Sequence, residues 1–262
     1  MTYPTPILPL KLEDISFEAG GKRLIKDLNC TFDAEPRSVI IGPNGAGKSL
    51  FLKICHGLIS PHTGHVRWND ANEKSVRLNQ AMMLQRPVML RRSVSANIHY
   101  PLKLRKIPKS ERNTLVEDAL TQAGIARLRD HPARVLSIGE QQKLALARVW
   151  ALKPQVLFLD EPTASLDPAA THAVEEIIRA IHAQGTKIIM TTHDLAQAKR
   201  IADEILFMFR GRLLERNSAA SFFEKPENDL AQAFVKGELL WWRLGKANRR
   251  NTDKQTNTLI DP

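Results

Sequence analysis

The chain has 262 residues, 43% of them hydrophobic, and a formal net charge of +10. This length supports one large domain, with or without a sub-domain, whose core needs no disulfide cross-links. The two cysteines, Cys30 and Cys55, exclude a disulfide-rich secreted fold and indicate a reduced, cytosolic protein, while the positive charge favours an anionic partner such as a nucleotide, a nucleic acid or an acidic membrane face.

Neither a secretory signal nor a membrane span is expected. The start, MTYPTPILPL, has no cationic segment followed by a sustained apolar run. Apolar runs such as Ile205–Phe209 are far shorter than the roughly 18 residues that a spanning helix needs.

Strands and helices alternate along much of the chain. Residues 10–32 and 64–78 resemble short alternating strands, with a turn at Gly20-Gly21, and predict an antiparallel layer. Continuous apolar runs predict buried parallel strands; they are Ser38–Gly42, Ala81–Gln85, Val156–Asp160, Lys187–Thr192 and Glu204–Phe209. Helices are predicted between them, at Ser49–Leu58, Ala169–Gln184 and Leu195–Ala202. The rhythm indicates an α/β fold.

Residues 93–152 interrupt this rhythm with a block that looks helical throughout. Within it, Ser110 is expected to cap the start of a helix and Gly124 to stop it. We therefore predict a catalytic core from residues 1–92 and 153–240, with residues 93–152 inserted as a helical sub-domain. Residues 241–262 are polar and basic and predict a disordered tail.

The segment GPNGAGKS, which we call the phosphate loop (Gly42–Ser49), lies between a predicted strand and a predicted helix. Its glycines allow backbone N–H groups to converge on phosphate oxygens at a helix N-terminus. Lys48 is expected to reach the β- and γ-phosphates, and the Ser49 hydroxyl to bind Mg²⁺. The predicted nucleotide contacts in this region are Gly42, Pro43, Asn44, Gly45, Ala46, Gly47, Lys48, Ser49 and Leu50.

A second acidic motif, VLFLDEP, ends a predicted strand with two carboxylates. Asp160 is expected beside the Mg²⁺ ion, and Glu161 near the γ-phosphate, where it can polarise an attacking water. Together with the phosphate loop, this pair indicates hydrolysis of a nucleoside triphosphate.

Taken together, the motifs resemble those of the nucleotide-binding subunits of ABC transporters, over roughly residues 10–240. Gln85 in MLQRP matches the glutamine of the family's Q-loop. The segment LSIGEQQ stands at the position of the family signature and opens a helix. LDEPTASLDP contains the end of Walker B and a D-loop, Ser165–Asp167, and TTHDL places His193 at the switch-histidine position. The resemblance implies a P-loop NTPase (RecA-like) core with an antiparallel layer and an inserted helical sub-domain.

The resemblance also implies how the protein works. Two copies would form a head-to-tail homodimer that holds two ATP molecules, each between the phosphate loop of one copy and the signature of the other. Glu161 would be the general base, His193 would contact the γ-phosphate, and Gln85 would link Mg²⁺ and water to the surface where membrane permease subunits dock. The residues implied to contact the partner's nucleotide are Ser137, Gly139, Glu140 and Asp167.

The signature departs from the family pattern at one residue. Ile138 stands where the family commonly has glycine. A right-handed helical backbone tolerates isoleucine there, whereas a close approach to phosphate does not. We favour a working, slower ATPase; the alternatives are a degenerate subunit paired with a different, intact one, and an ordinary helix start.

The base-binding side departs as well. Ala19 occupies the slot where the family has an aromatic ring for adenine, so Phe17, on the same strand face, or Tyr3 is the expected substitute. Leu50 replaces a second hydroxyl after Ser49, a smaller change because Ser49 already offers a magnesium ligand.

Three other features carry weaker signals. His56, His62 and His65 lack a cysteine or carboxylate at ligand spacing and do not predict a metal site. The basic segment RRSVSANIHYPLKLRKIPK indicates either a solvated face or a surface near anionic headgroups. Trp241 and Trp242 suit either a membrane interface or a helix packed on the core.

Among ABC proteins, an importer subunit fits best. The interval from Ser49 to Leu136 has no room for the long coiled coil of chromosome-structure ATPases, and the chain has one cassette rather than the two of translation ATPases. We therefore expect no nucleic acid partner. A subunit that binds ATP without hydrolysing it is disfavoured by the intact Lys48, Asp160, Glu161 and His193.

The C-terminal segment SFFEKPENDLAQAFVKGELLWW resembles the end of tungstate-type importer ATPases. The resemblance implies a bacterial or archaeal importer for an oxyanion such as tungstate or molybdate. Its ATPase would lie on the cytoplasmic face of the inner membrane and serve an extracytoplasmic binding protein indirectly. Another small solute, such as phosphate or an amino acid, is the alternative.

Overall fold

The antiparallel layer is a three-stranded sheet. The computed structural model describes residues 6–69 and 71–238. In it, β1 (Leu10–Ala19) pairs with β2 (Lys22–Phe32) on one side and β4 (Thr63–Trp68) on the other. The predicted turn at Gly20-Gly21 joins β1 to β2, and both glycines have positive φ, 56° and 70°, which fits a tight hairpin.

The strand expected over residues 64–78 is wrong in its second half. After β4 the chain forms a short helix, α2 (Glu73–Asn79). The side chain of Asn72 accepts a hydrogen bond from the backbone N–H of Ser75, and this cap starts the helix. The alternation of apolar and polar residues in this stretch did not predict α2.

The main sheet has six strands in the order β5-β6-β7-β3-β8-β9. All neighbours are parallel except β9, which runs antiparallel to β8. Five strands were predicted, within two residues at each end. The sixth, β9, was missed because its sequence RLLERNS is largely polar, as suits a strand at the sheet edge. The bounds are β3 (Ser38–Ile41), β5 (Gln80–Met83), β6 (Val156–Asp160), β7 (Lys187–Thr191), β8 (Glu204–Phe209) and β9 (Arg212–Ser218).

Helices connect the strands close to where they were predicted. The helices of this sheet are α1 (Lys48–His56), α6 (Pro168–Ala183) and α7 (Leu195–Ile201), followed by α8 (Ala219–Glu224) and α9 (Asp229–Val235). The last two were not predicted. Among the described residues, no helix combines the length and hydrophobicity that crossing a bilayer requires.

The block of residues 93–152 is mostly helical but not throughout. It contains α3 (Val94–Leu104), α4 (Lys109–Gln122), α5 (Ile138–Leu152) and two short 3₁₀ turns. The cap expected at Ser110 is wrong: the helix begins at Lys109 after Pro108, whose extended ψ and fixed φ of −54° lead directly into the first turn. Gly124, with φ of 64°, follows the last helical turn of α4, where a stop was predicted.

The main sheet lies between two apolar cores. On one face, Leu157 and Leu159 of β6 pack with buried residues of α3–α6. On the other, Phe158 packs with the antiparallel sheet and α1. This alternation of neighbouring residues is what a strand covered on both faces requires. Cys30 and Cys55 are free and buried, as predicted, and burial raises the pKa of the Cys30 thiol to about 12.

One buried cation gives the fold a measurable pH dependence. Lys187 of β7 is fully buried, and its ammonium donates to the carbonyl of Pro36 and lies 3.8 Å from Glu204. Burial lowers the pKa of Lys187 from 10.5 to about 8, with the Glu204 carboxylate opposing that shift. Between these two pH values the unfolded chain binds more protons than the folded one, so the free energy of unfolding rises with pH.

We expect a Lys187→Met variant to lose this rise. The difference in unfolding free energy between the wild type and the variant should change by about 2–3 kcal/mol from below pH 8 to near pH 10.5, in favour of the wild type at the higher pH. Urea unfolding of both proteins across this window measures it. Parallel curves would mean that Lys187 keeps its ordinary pKa.

Candidate active site

The phosphate loop lies at the carboxyl end of β3, in the middle of the main sheet. Because β6, β7 and β3 are neighbours, the residues that follow all three strands meet at one edge. The loop passes close to the backbone of β8: a Cβ on Gly42 would lie 2.1 Å from the carbonyl oxygen of Met208. Gly47 has φ of 100° and leads into α1. Only glycine fits either position.

Lys48 lies at the centre of the loop and is 5% exposed. Its ammonium donates to the carbonyls of Gly42, at 2.7 Å, and Pro43, at 3.3 Å, and lies 3.9 Å from the carboxylate of Glu161. Burial lowers the pKa of Lys48, and the carboxylates of Glu161 and Asp160 oppose that shift. The arrangement places a cationic donor where phosphate oxygens would meet the loop amides.

Asp160 connects the loop to the neighbouring strand. Its Oδ1 accepts a hydrogen bond from Ser49 Oγ at 2.7 Å and another from Thr191 Oγ1 at 2.8 Å. A hydroxyl and a carboxylate in contact offer the oxygen ligands that Mg²⁺ prefers, and Mg²⁺ commonly takes only one or two protein ligands beside phosphates and water. These side chains therefore fit a magnesium ion shared with phosphate.

Glu161 has a left-handed backbone, with φ of 47°, directly after β6. Its N–H donates to both the carbonyl and the hydroxyl of Thr191, at 3.2 and 3.1 Å, and these contacts hold the unusual conformation. The carboxylate Oε2 lies 3.0 Å from His193 Nδ1. A carboxylate next to an imidazole and a buried ammonium can accept a proton from water.

The predicted catalytic residues share one cavity. Residues 44–50 line a space of about 490 Å³ together with Gln85, Glu161 and His193. The backbone carbonyl of Gln85 accepts a hydrogen bond from Gln142 of α5 at 2.9 Å, which holds the Q-loop against the helical block. The structure thus brings together the phosphate loop and three residues predicted from distant parts of the sequence.

The signature residues lie elsewhere in the same chain. Ser137 caps α5, and its hydroxyl and backbone N–H both contact the carboxylate of Glu140, which donates its own N–H in return. Neither residue lines the cavity of the phosphate loop. Asp167, also predicted to contact nucleotide, caps α6 by accepting from the N–H of Ala170 at 2.8 Å. Nucleotide contacts by these residues stay predictions.

Packing within the same chain explains why position 139 is a glycine. A Cβ at this position would lie 3.3 Å from the Cβ of Ala170, tighter than ordinary van der Waals contact. The first turn of α5 therefore touches the first turn of α6. The glycine lets the two helix starts approach each other.

Ile138 is the first residue of α5, and it takes a helical backbone rather than a left-handed one. Its side chain is 58% exposed and lines a second cavity of about 270 Å³ with Gln85, Gln142 and Ser165. The backbone at this position therefore does not require glycine.

We expect Ile138→Gly to leave ATPase activity unchanged or to raise it, because the change removes only an exposed side chain. The cost in stability should be below about 1 kcal/mol, the propensity difference for glycine in a helix. Steady-state ATPase assays and thermal unfolding measure both quantities. A collapse of activity would mean that the isoleucine makes a required contact.

Among the residues that the structure describes, no phenylalanine, tyrosine or tryptophan lines the cavity of the phosphate loop. Phe17 packs edge-on against His62, with ring centroids 4.9 Å apart, and is not among the residues that line the cavity of the phosphate loop. Ala19 ends β1 and is exposed. Tyr3 lies outside the described residues, as does the pair Trp241-Trp242. Phe17 as the adenine contact stays a prediction.

The three histidines considered as metal ligands lie in different surroundings. His56 packs edge-on against Phe158, His62 against Phe17, and His65 belongs to β4. Across residues 6–69 and 71–238, no group of three or more histidine, cysteine or acidic side chains is arranged to hold a metal.

Thr191 is a site residue that sequence reasoning missed. It binds Asp160 through its hydroxyl and Glu161 through its hydroxyl and carbonyl. The available signal was its position at the end of the strand that leads to His193, where a polar side chain follows a buried apolar run.

The chain is similar to known proteins over most of its length. The family model described as "ABC transporter" matches residues 25–164. The tungstate uptake system ATP-binding protein TupC of Peptoclostridium acidaminophilum is 36% identical over 209 residues, covering 79% of this chain and 98% of that protein. The phosphate import ATP-binding protein PstB of Mycobacterium intracellulare is 34% identical over 237 residues, covering 84% of this chain and 82% of that protein. A solved structure of CbiO1 from Clostridium perfringens, part of the ABC transporter complex CbiONQ, superimposes with a TM-score of 0.74 at 27% identity, covering 86% of this chain and 93% of that one.

Proposed function

The chain belongs to the ABC transporter family as an ATP-binding and ATP-hydrolysing subunit, and from this premise we propose that it energises the import of an oxyanion such as tungstate or molybdate. The observation that carries the substrate is the 36% identity to a tungstate uptake ATP-binding protein over 98% of that protein's length. The similarity between the end of this chain and that of tungstate-type ATPases, seen in the sequence, supports the same class.

We assign the roles of the site residues from their geometry. Lys48 and the amides of the phosphate loop would bind the β- and γ-phosphates, because the ammonium is buried against the loop carbonyls and the loop leads into the N-terminus of α1. Ser49 and Asp160, with Gln85, would hold Mg²⁺. When bound, this ion would neutralise charge on the phosphate oxygens.

Glu161 would act as the general base. Its carboxylate lies in the cavity beside Lys48 and His193, so it can accept a proton from a water directed at the γ-phosphate. His193, at 3.0 Å from that carboxylate, would orient it and contact the γ-phosphate. The two hydrogen bonds that the Glu161 N–H donates to Thr191 would keep the base in place during turnover.

We propose that two copies pair head to tail, so that Ser137, Gly139 and Glu140 of one copy complete the nucleotide site of the other. Ser137 is exposed and none of the three lines the phosphate cavity of its own chain, which supports a site built from two copies. Asp167 would lie at the same boundary. In this proposal, residues 1–92 and 153–240 form the catalytic core and residues 93–152 the sub-domain that carries the signature.

An apolar groove beside the Q-loop is the proposed docking place for the permease. It holds about 430 Å³ and is lined by residues that include Met83, Val88, Tyr100 and Val149. Val88 is 71% exposed, so an apolar side chain of the groove is accessible to a partner. Arg92 stacks over the ring of Tyr100 at 5.3 Å, so the basic segment continues this surface. The subunit would then lie at the cytoplasmic face of the inner membrane and respond to an extracytoplasmic binding protein through the permease.

Two alternatives keep specific support. Import of phosphate is the first, because a phosphate import protein is 34% identical over 84% of this chain. The second is a degenerate subunit that pairs with a different, intact one, because Ile138 departs from the signature.

One experiment separates these possibilities. The chain would be purified with its permease and binding protein in lipid, and ATP hydrolysis measured with tungstate, molybdate and phosphate. The proposal expects stimulation by tungstate or molybdate and none by phosphate. Stimulation by phosphate alone would support the first alternative, and basal ATP hydrolysis that appears only with a second, different ATPase subunit would support the second.

A further inference from the structure

Gln197 occupies a buried position behind the catalytic residues. It lies on α7, the helix that begins two residues after His193 and is capped by Asp194. The side chain is fully buried. Its Nε2 donates to the hydroxyl of Thr163 at 2.7 Å and to Glu175 Oε1 at 3.3 Å. Gln197 therefore joins α7 to the segment that starts with Glu161.

The far end of this contact is firmly anchored. Glu175 of α6 is fully buried, and its carboxylate accepts two hydrogen bonds from Arg200, at 3.0 and 2.6 Å. Arg179 lies 3.7 Å from the same carboxylate. The charge of Glu175 is thus compensated by two guanidinium groups, so Gln197 is not needed to neutralise it.

The near end is the segment that carries the proposed base. Thr163 is two residues beyond Glu161, and its carbonyl accepts from the N–H of Leu166 at 3.1 Å within the turn that leads to Asp167. A shift of Thr163 would therefore move Glu161, which precedes it, and the start of α6, which follows it.

Gln197 is also a poor choice for stability alone. Its Oε1 is buried and finds no hydrogen-bond donor among the described residues. An unsatisfied buried acceptor destabilises a fold, so the Gln197 amide offsets part of the stability that its two donor contacts contribute. A buried amide with a small net contribution to stability points to a role in position rather than in folding.

We propose that Gln197 is a positioning residue for ATP hydrolysis: by tying Thr163 to α7, it sets the distance between the Glu161 carboxylate and His193. The inference rests on the proposed function of those two residues. Glu161 and His193 are 3.0 Å apart, and each lies within four residues of one end of the hydrogen bond between Thr163 and Gln197.

The test compares Gln197→Leu and Thr163→Val with the wild type. Each variant should lower kcat by about 10- to 100-fold, the cost of misplacing a catalytic group by about 1 Å. Each should leave the dissociation constant for ATP within about twofold, since neither residue lines the phosphate cavity. The melting temperature of Gln197→Leu should fall by no more than a few degrees, because the change removes the unsatisfied Oε1 together with the donor to Thr163. The double variant should be no slower than the slower single one, because both changes break the same contact.

One further variant serves as a control. Gln232→Leu removes a glutamine side chain that donates to Pro226 from α9, away from this segment, and should not change kcat.

The outcomes separate the two levels of inference. A wild-type protein without ATPase activity, alone or with its membrane partners, would overturn the proposed function itself. An active wild type with equally active Gln197→Leu would overturn only the positioning role, as would a loss of activity that follows a matching fall in melting temperature or in ATP affinity.

Discussion

Replacing Glu161 with glutamine is expected to lower ATP turnover by about 100- to 10,000-fold, the range for removing a general base. Glutamine has nearly the same shape but cannot take up a proton, so the water would lose its acceptor. The contacts that hold the backbone of residue 161, from its N–H to Thr191, do not involve the side chain and should persist. Binding of ATP should remain within about threefold of the wild type.

Single-turnover assays and a titration with a fluorescent ATP analogue measure the two quantities. Glu176→Gln provides the matched control, because its carboxylate is 56% exposed on α6 and lies outside the cavity of the phosphate loop. That variant should hydrolyse ATP like the wild type. Unchanged turnover in Glu161→Gln would remove this residue as the base and direct the search to another acceptor in the cavity.

Replacing Lys48 with alanine is expected to weaken ATP binding about 10- to 100-fold, because charge-assisted hydrogen bonds to phosphate contribute about 1.5–3 kcal/mol. The ammonium is 5% exposed and contacts only carbonyl and carboxylate oxygens around the loop, so its position suits a phosphate. Hydrolysis should be lost with binding.

Lys53→Ala on the same helix is the control. Lys53 is not among the residues that line the cavity, so removing its side chain should change ATP affinity by less than about twofold. Isothermal titration with ATP and magnesium measures both variants. Equal affinity of Lys48→Ala and the wild type would contradict the proposed phosphate contact.

Local patterns predicted the parts of the site that are local in sequence. The phosphate loop could be recognised because its strand, glycines, lysine and helix follow each other within a few residues, and the same holds for Asp160 and Glu161 after β6. Resemblance to a known family then supplied Gln85 and His193. The approach of Gln85 and His193 to the loop depends on the strand order β5-β6-β7-β3, which continuous apolar runs do not specify.

The contacts that connect these parts could not be read from the sequence. Thr191 and Gln197 make hydrogen bonds to residues about 30 positions away, and nothing in their neighbourhoods distinguishes them from other polar residues at a strand end or on a helix. The question about Ile138 likewise needed a backbone angle, since the sequence cannot say whether a position is helical or left-handed. Polar β9 and the Asn72 cap were missed because each depends on a neighbour or a side-chain hydrogen bond rather than on periodicity.

The contact between Gly139 and Ala170 has a consequence for how this protein can vary. The starts of α5 and α6 are separated by little more than one methyl group. An alanine at 139 would require the two helix starts to move apart by a few tenths of an ångström. A glycine at 170 would remove the methyl group that this alanine meets. The pair can therefore vary by an exchange, with glycine at 170 admitting alanine at 139.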